Sequence, residues 1–160
     1  MKPVIIFDLD ETVIDSRHRT PRNPDGTVNL AHYMANHNPE NVFKDTLRPL
    51  AKIAKAIYGR HYVVFCTARD MKACDYEFLA AHNLRANLIL SRDRARPFHY
   101  RMKDADYKRQ WINPLRNLVQ FRNRPFFMFD DEPKVIAEMR RIGISCYNAH
   151  SINRLLAERS

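Results

Sequence analysis

The sequence predicts an α/β protein built on a Rossmann-like, doubly wound parallel sheet of five strands. Three observations predict it. Five short apolar runs alternate with helical patterns along the 160 residues. The first run is apolar at consecutive positions, as a strand covered on both faces must be. Aspartate or threonine stands directly after three of the runs, where ligands bind in open parallel sheets.

The first strand is residues 4–7, Val-Ile-Ile-Phe, followed by Asp8 and Asp10. A helix is expected over 45–57, where Leu47, Leu50, Ile53, Ala54 and Ile57 share a face. Pro49 falls in its first turn and Gly59 stops it. Residues 62–66 form the second strand and 70–82 the helix after it. Residues 88–90 are a short third strand. Residues 104–119 read as helical, with a break expected at Pro114. Pro125 leads into the fourth strand, 126–129, and 132–142 is a helix with Pro133 in its first turn and Gly143 as its cap. The fifth strand is 144–147, and a short helix covers 152–158. Two stretches escape the pattern, 15–41 and 91–103. Both are rich in Arg, His, Asn and Pro, and loops of that size in a small domain are often functional.

The bulk composition narrows the class. A hydrophobic share of 45% with three glycines and nine prolines suits a globular chain rather than a disordered one. The apolar start is too short to span a membrane and has no small-residue cleavage site after it. Cys66, Cys74 and Cys146 are odd in number and lack a Cys-x-x-Cys pair, which fits small buried residues in a reducing cytoplasm. The net charge is +9, with arginines grouped at 17, 19 and 22, at 92, 94, 96 and 101, and at 116, 122 and 124. Such a field suits either a polyanion such as nucleic acid or a solubilising surface.

If the strands are parallel neighbours, four sets of residues converge on one sheet edge. They are Asp8 with Asp10, then Thr67-Ala68-Arg69, then Lys108 near the start of a helix, then Asp130 with Asp131. Carboxylates crowded together repel unless a cation offsets them. A hard divalent cation with oxygen ligands is the natural partner, and Mg²⁺ suits a site with few carboxylates and a phosphate. Thr67 also reads as an ordinary β-branched strand residue, and Asp131 as the N-cap of the following helix. Tyr107 and Trp111 read as core aromatics before they read as base-stacking platforms.

The motifs now carry a resemblance. Asp8-x-Asp10-x-Thr12, the strand ending on Thr67, Lys108 at a helix start and the Asp130-Asp131 pair resemble the four motifs of the haloacid dehalogenase superfamily of phosphatases. Within it, a closer likeness is to the 3′-phosphatase domain of phage polynucleotide kinase-phosphatase. The features that carry it are Arg19-Thr20-Pro21, Thr67-Ala68-Arg69, Asp104 four residues before Lys108, and Arg140-Arg141-Ile142-Gly143. No Gly-x-x-x-x-Gly-Lys-Ser/Thr phosphate loop of a kinase occurs.

The resemblance implies one phosphatase domain over 1–160, with no large cap domain and a small lid loop at 15–41. It implies covalent catalysis, with Asp8 as nucleophile and Asp10 as acid and then base. An ordinary aspartate titrates near ~3.9, so Asp10 is expected to be raised by its neighbouring carboxylate. Thr67 and Lys108 would hold the phosphoryl oxygens, and Arg19 and Arg69 the substrate phosphate. Asp104 would orient Lys108 or Arg69, with Asp106 as its alternative. Mg²⁺ would sit among Asp8, the Asp10 carbonyl, Asp130 and Asp131. The expected activity is removal of 3′-phosphate from polynucleotide ends, alongside a separate kinase or ligase. Two rivals are a nucleoside monophosphate phosphatase (a nucleotidase) and a non-catalytic nucleic-acid end-binding module. A protein phosphatase of the same superfamily is a third.

Overall fold

The computed structural model describes residues 2–93 and 95–159. Arg94, one of the grouped arginines, lies outside them. The central sheet contains β1 (Val4–Phe7), β4 (Tyr62–Asp70), β5 (Leu88–Arg92), β6 (Phe126–Asp130) and β7 (Ser145–Asn148). Its order is β5-β4-β1-β6-β7, and every pairing in it is parallel. The expected doubly wound sheet is therefore present, with β1 at its centre.

The apolar β1 run follows from burial on both sides. Phe7 faces a core shared with α3 (Leu50–Ile57), α4 (Ala73–Ala81) and α8 (Ala149–Glu158). Val4 and Ile6 face the opposite core, with Ile112 and Leu115 of α6 (Asp104–Asn117) and Val135, Ile136 and Met139 of α7 (Pro133–Arg141). Each buried aliphatic or aromatic side chain contributes on the order of 1.5–3 kcal/mol, and one strand supplies both layers.

Several boundaries differ from the expected ones, for identifiable reasons. The helix expected over 45–57 starts only at Leu50, because the residue before Pro49 is disfavoured in helical geometry. Thr46–Leu47 is instead a strand, β3, paired antiparallel with β2 (Ile14–Asp15). β4 runs on to Asp70 through a register shift between Cys66 and Asp70, so α4 begins at Ala73 rather than 70. α6 is continuous through Pro114, which lies on its exposed face with Gln110, so the carbonyl deprived of its partner can meet solvent. α8 begins at Ala149, where the Asn148 side chain accepts from the Ser151 N–H at 3.1 Å.

The two stretches outside the strand and helix pattern, 15–41 and 91–103, are partly helical. Residues between β2 and β3 contain a 3₁₀ turn (Arg17–Arg19), α1 (Leu30–Asn36) and α2 (Pro39–Val42). Asn29 and Asn38 cap the two helices through their side chains. α1 buries no residue fully, so it has no apolar stripe from which to recognise it. Residues 97–101 form α5 (Pro97–Arg101). Among the described residues no helix is long and apolar enough to cross a membrane.

Asn153 of α8 ties these parts together. Its Oδ1 accepts from the Leu50 N–H at 2.8 Å, an otherwise orphaned donor at the start of α3. Its Nδ2 donates to the Thr12 carbonyl at 2.9 Å, in the turn that follows Asp10. Asn153→Ala should leave both groups buried and unpaired and cost about 2 kcal/mol, read as a fall in the urea midpoint; an unchanged midpoint would refute the tie.

Candidate active site

The register of the sheet builds the site. Phe7 pairs with Phe65 on one side and Phe129 on the other, so the residues after β1 stand level with Cys66 and Thr67 in β4 and with Asp130 at the end of β6. Asp8 is buried there, and Lys108 reaches it from the second turn of α6. The Lys108 Nζ donates to Asp8 Oδ1 at 2.7 Å and to Asp130 Oδ2 at 2.6 Å. Ligand oxygens of Asp8, Asp130 and Asp131 all lie within 4.8 Å of one another.

The electrostatics follow from this crowding. Burial works against the Lys108 charge, but Asp130 and Asp8 more than offset it and keep the ammonium well above its ordinary range. Burial pushes the Asp8 carboxyl up against the pull of Lys108, and the charges of Asp130, Asp131 and Asp10 add to the push. Burial, then the neighbouring Asp130, pushes Asp131 up to about 7. Three carboxylates thus face one ammonium. Their hard oxygen donors and surplus negative charge fit a divalent cation such as Mg²⁺. Asp131 is not the cap of α7, whose N-cap position is Glu132; the carboxylate at this turn is Asp130, which accepts from the Glu132 N–H at 3.0 Å.

Asp10 belongs to a second, adjoining network. The turn carrying it is sharp, with Glu11 at a φ of 60°, a left-handed conformation costly for a side chain of this kind. Glu11 is held there by the Ser16 N–H at 3.1 Å and by an ion pair with Arg48. The Asp10 carboxylate accepts from Ser16 Oγ at 2.7 Å and from Nε and Nη2 of Arg69. Arg69 Nη1 donates to Asp75 at 2.6 Å, and His37 Nε2 meets the same Asp75 at 2.6 Å. The expectation of a raised Asp10 is corrected: burial pushes it up, but the Arg69 charge and hydrogen bond, helped by Ser16, hold it far below the ordinary range.

The other expected site residues divide. Thr67 is buried in β4, and its hydroxyl oxygen accepts from the Arg69 N–H at 3.0 Å. Arg19 is only 1% exposed and grips Asp45 with Nε and Nη2 at 2.9 and 2.7 Å. Asp104 does not orient Lys108 or Arg69. Its side chain is 55% exposed and pairs with Arg92 Nη2 at 2.6 Å. Lys108 is oriented by Asp8 and Asp130, and Arg69 by Asp10 and Asp75. Asp106, the alternative, pairs with Arg109 at 3.2 Å. Tyr107 is fully buried beside His99, as a core aromatic. The Asp45, Asp75 and His37 partners were missed. Asp45 falls in the helix expected over 45–57 and Asp75 inside the one expected over 70–82, so neither stands out until Arg19 and Arg69 are seen against them.

Comparison with known proteins resolves the family. The family model for bacteriophage T5 5′-deoxynucleotidase matches residues 1–159. The chain belongs to this family. The 5′-deoxynucleotidase of Escherichia phage T5 is 28% identical over 172 residues, covering 96% of this chain and 70% of that protein. Among solved structures, the haloacid dehalogenase-like hydrolase SP0104 of Streptococcus pneumoniae aligns with a TM-score of 0.64 at 13% identity, over 92% of this chain and 84% of that one. A chain of the Pnkp1/Rnl/Hen1 complex aligns with a TM-score of 0.61 at 22% identity, over 92% of this chain and 45% of that one. These likenesses establish the haloacid dehalogenase fold that the motifs implied, and membership of the family makes the chain a phosphatase of that type.

A pH and metal dependence follows. The folded value of Asp131, about 7, exceeds ~3.9 for an unfolded aspartate, so its contribution to stability is full below about 4 and is lost as pH rises through about 7. In chelator the melting temperature should be higher at pH 5.5 than at pH 8, where the depressed Asp10 still contributes fully. Added Mg²⁺ should raise it more at pH 8, and Asp131→Asn should flatten the difference. Equal melting at both pH values would count against this reading of the cluster.

Proposed function

We propose that this chain is a Mg²⁺-dependent phosphomonoesterase acting on deoxynucleoside 5′-monophosphates. The observation that carries the reading is the buried Asp8, held by Lys108 at the edge of the sheet, in a chain matched over 1–159 by a 5′-deoxynucleotidase family. This is the nucleotidase alternative rather than the polynucleotide 3′-phosphatase expected first.

Asp8 has one carboxylate oxygen fixed by Lys108, which leaves Oδ2 to attack phosphorus in line with the leaving oxygen. The bond from Oδ2 to phosphorus forms, and the bond from phosphorus to the 5′-oxygen breaks. Asp10 delivers its proton to that oxygen, releasing the deoxynucleoside. Asp10 then takes a proton from the water that attacks the aspartyl-phosphate, releasing inorganic phosphate and restoring Asp8. The Thr67 hydroxyl accepts from the Arg69 N–H, which leaves its own hydrogen for a phosphoryl oxygen. Lys108 supplies positive charge beside the same group.

Mg²⁺ held by Asp8, Asp130 and Asp131, with the Asp10 carbonyl, would neutralise charge on the transferring phosphoryl group. Arg69 holds Asp10 ionised in the free protein. A phosphate dianion arriving beside Asp8 competes for Arg69 and repels a second carboxylate, so proton uptake by Asp10 accompanies substrate binding. Arg69 turns to the substrate phosphate as Asp10 is protonated, and Arg19 offers Nη1, which has no partner among the described residues. Asp104, paired with Arg92 at the rim, has no role in this scheme.

A polynucleotide 3′-phosphatase remains the second reading, favoured by the net charge of +9. One panel separates the two. With Mg²⁺, phosphate release should be fastest from deoxynucleoside 5′-monophosphates, slower from 3′-monophosphates and ribonucleotides, and slowest from 3′- or 5′-phosphorylated oligonucleotides. Asp8→Asn should lose at least about a thousandfold, and chelator should abolish turnover. Preference for the oligonucleotide 3′-phosphate would replace this proposal with the second reading, and no release from any substrate would return the end-binding module.

A further inference from the structure

The insertion between β2 and β3 brings two unsatisfied polar atoms into the network beside Asp10. Arg19 spends Nε and Nη2 on Asp45, and its Nη1, although buried, has no partner among the described residues. Tyr33 of α1 stands against it, with the guanidinium carbon 5.7 Å from the ring centroid and the His37 ring 5.2 Å away on the same helix end. The Tyr33 hydroxyl is also buried and unpartnered among the described residues. Its ring contacts Arg19 and His37, which are bound to Asp45 and Asp75, and so joins the same network; the charges of Arg69 and Asp10 also act on it. Leaving a buried donor unpaired costs about 1–3 kcal/mol, and two together call for an explanation.

Charge decides what these two atoms suit. Arg69 has all three of its nitrogens on Asp10 and Asp75. Arg19 is answered by Asp45, which His18 Nε2 also meets at 2.8 Å. Two guanidiniums therefore face three carboxylates, with His18 and His37 at the edges. A further phosphate here would add negative charge where it is already in excess. A neutral hydroxyl fits: it can accept from Arg19 Nη1 and exchange a hydrogen bond with the Tyr33 hydroxyl, which both donates and accepts. A deoxynucleoside 5′-monophosphate carries one sugar hydroxyl, at the 3′ position.

We infer that Arg19 Nη1 and the Tyr33 hydroxyl form a subsite for the 3′-hydroxyl of the substrate's deoxyribose, an inference that rests on the 5′-nucleotidase reading above. Asp10 is bonded to Arg69 in the same network, so a sugar held at the subsite brings its 5′-oxygen toward the acid while the phosphate lies beside Asp8 and Lys108. The same subsite rejects a sugar whose 3′-oxygen is phosphorylated or joined to a further nucleotide. Tyr33 is a specificity residue in this scheme, touching the part of the substrate that does not react.

The test compares kcat/KM for a deoxynucleoside 5′-monophosphate, its 2′,3′-dideoxy analogue and its 3′,5′-bisphosphate, with the unsubstituted protein and Tyr33→Phe. The unsubstituted protein should prefer the 3′-hydroxyl over the dideoxy sugar by about tenfold or more and use the bisphosphate poorly. In Tyr33→Phe the preference should shrink by about threefold or more. A second measurement needs no variant: the free deoxynucleoside should inhibit the unsubstituted protein at about tenfold lower concentration than the dideoxynucleoside. Equal use of the two monophosphates, equal inhibition by the two nucleosides, or an undiminished preference in folded Tyr33→Phe would overturn the subsite and leave the nucleotidase standing. Absence of release from every 5′-monophosphate would overturn the functional reading, and the subsite with it.

Discussion

The Lys108 ammonium, bonded to Asp8 and Asp130 at once, is the contact on which the site depends. It sets two carboxylates from different strands at the same depth, at the carboxyl edge of a sheet whose centre is β1. Removing either partner of such a pair would strand a buried charge, which typically costs several kcal/mol. The strand order follows from the same requirement, since β1 must lie between β4 and β6 for Asp8, Thr67 and Asp130 to share an edge. Asp8, Asp130 and Asp131 outnumber this one ammonium, and their surplus of hard oxygen donors suits a divalent cation.

A second charged layer lies on top of the first and is built differently. Asp10, Arg69 and Asp75 form a chain of ion pairs, and Arg19 with Asp45 runs beside it. Four of the five residues are buried, and they come from the turn after β1, from β4, from α4 and from the insertion between β2 and β3. Within the insertion α2 is anchored by Val42 in the core and followed by Phe43 against Phe78, whereas the 3₁₀ turn and α1 bury no apolar residue fully and are fastened by salt bridges and by the Lys72 bond to the His37 carbonyl at 2.7 Å. An element held mainly by charge can respond to an incoming dianion more readily than one held by a packed core. Asp10, kept ionised until substrate competes for Arg69, fits that picture.

Substrate size follows from the same insertion. It brings Tyr33 and His37 against Arg19 and Asp75, in the network that also holds Asp10 through Arg69, and so adds a wall to the site. A chain with this wall suits a substrate that ends close to its phosphate. The arginine-rich surface elsewhere, including Arg116, Arg122 and Arg124 at the opposite end of β6, is not needed for a mononucleotide and is read most simply as solubilising.

The sequence alone determined the layers. Strands buried on both faces must be apolar at consecutive positions, helices between them must carry a stripe, and the residues ending strands must be the polar ones; Asp8, Thr67 and Asp130 could be named from that pattern. Lys108 could be named from its place in a motif. The tertiary structure decided the partners. Asp106 pairs with Arg109 three residues on in the same helix, a local contact, whereas only the packing of α6 beside the end of β5 gives Asp104 its partner Arg92. Asp75 sits at an ordinary helix start, and only the path of β4 past its register shift brings Arg69 to it. The sign of the Asp10 shift was likewise beyond the sequence, because a neighbouring carboxylate and a guanidinium push in opposite directions and their distances decide. Charge pairing depends on distance in three dimensions, whereas apolar periodicity is a property of the chain itself, and that difference divides what could be read from what had to be seen.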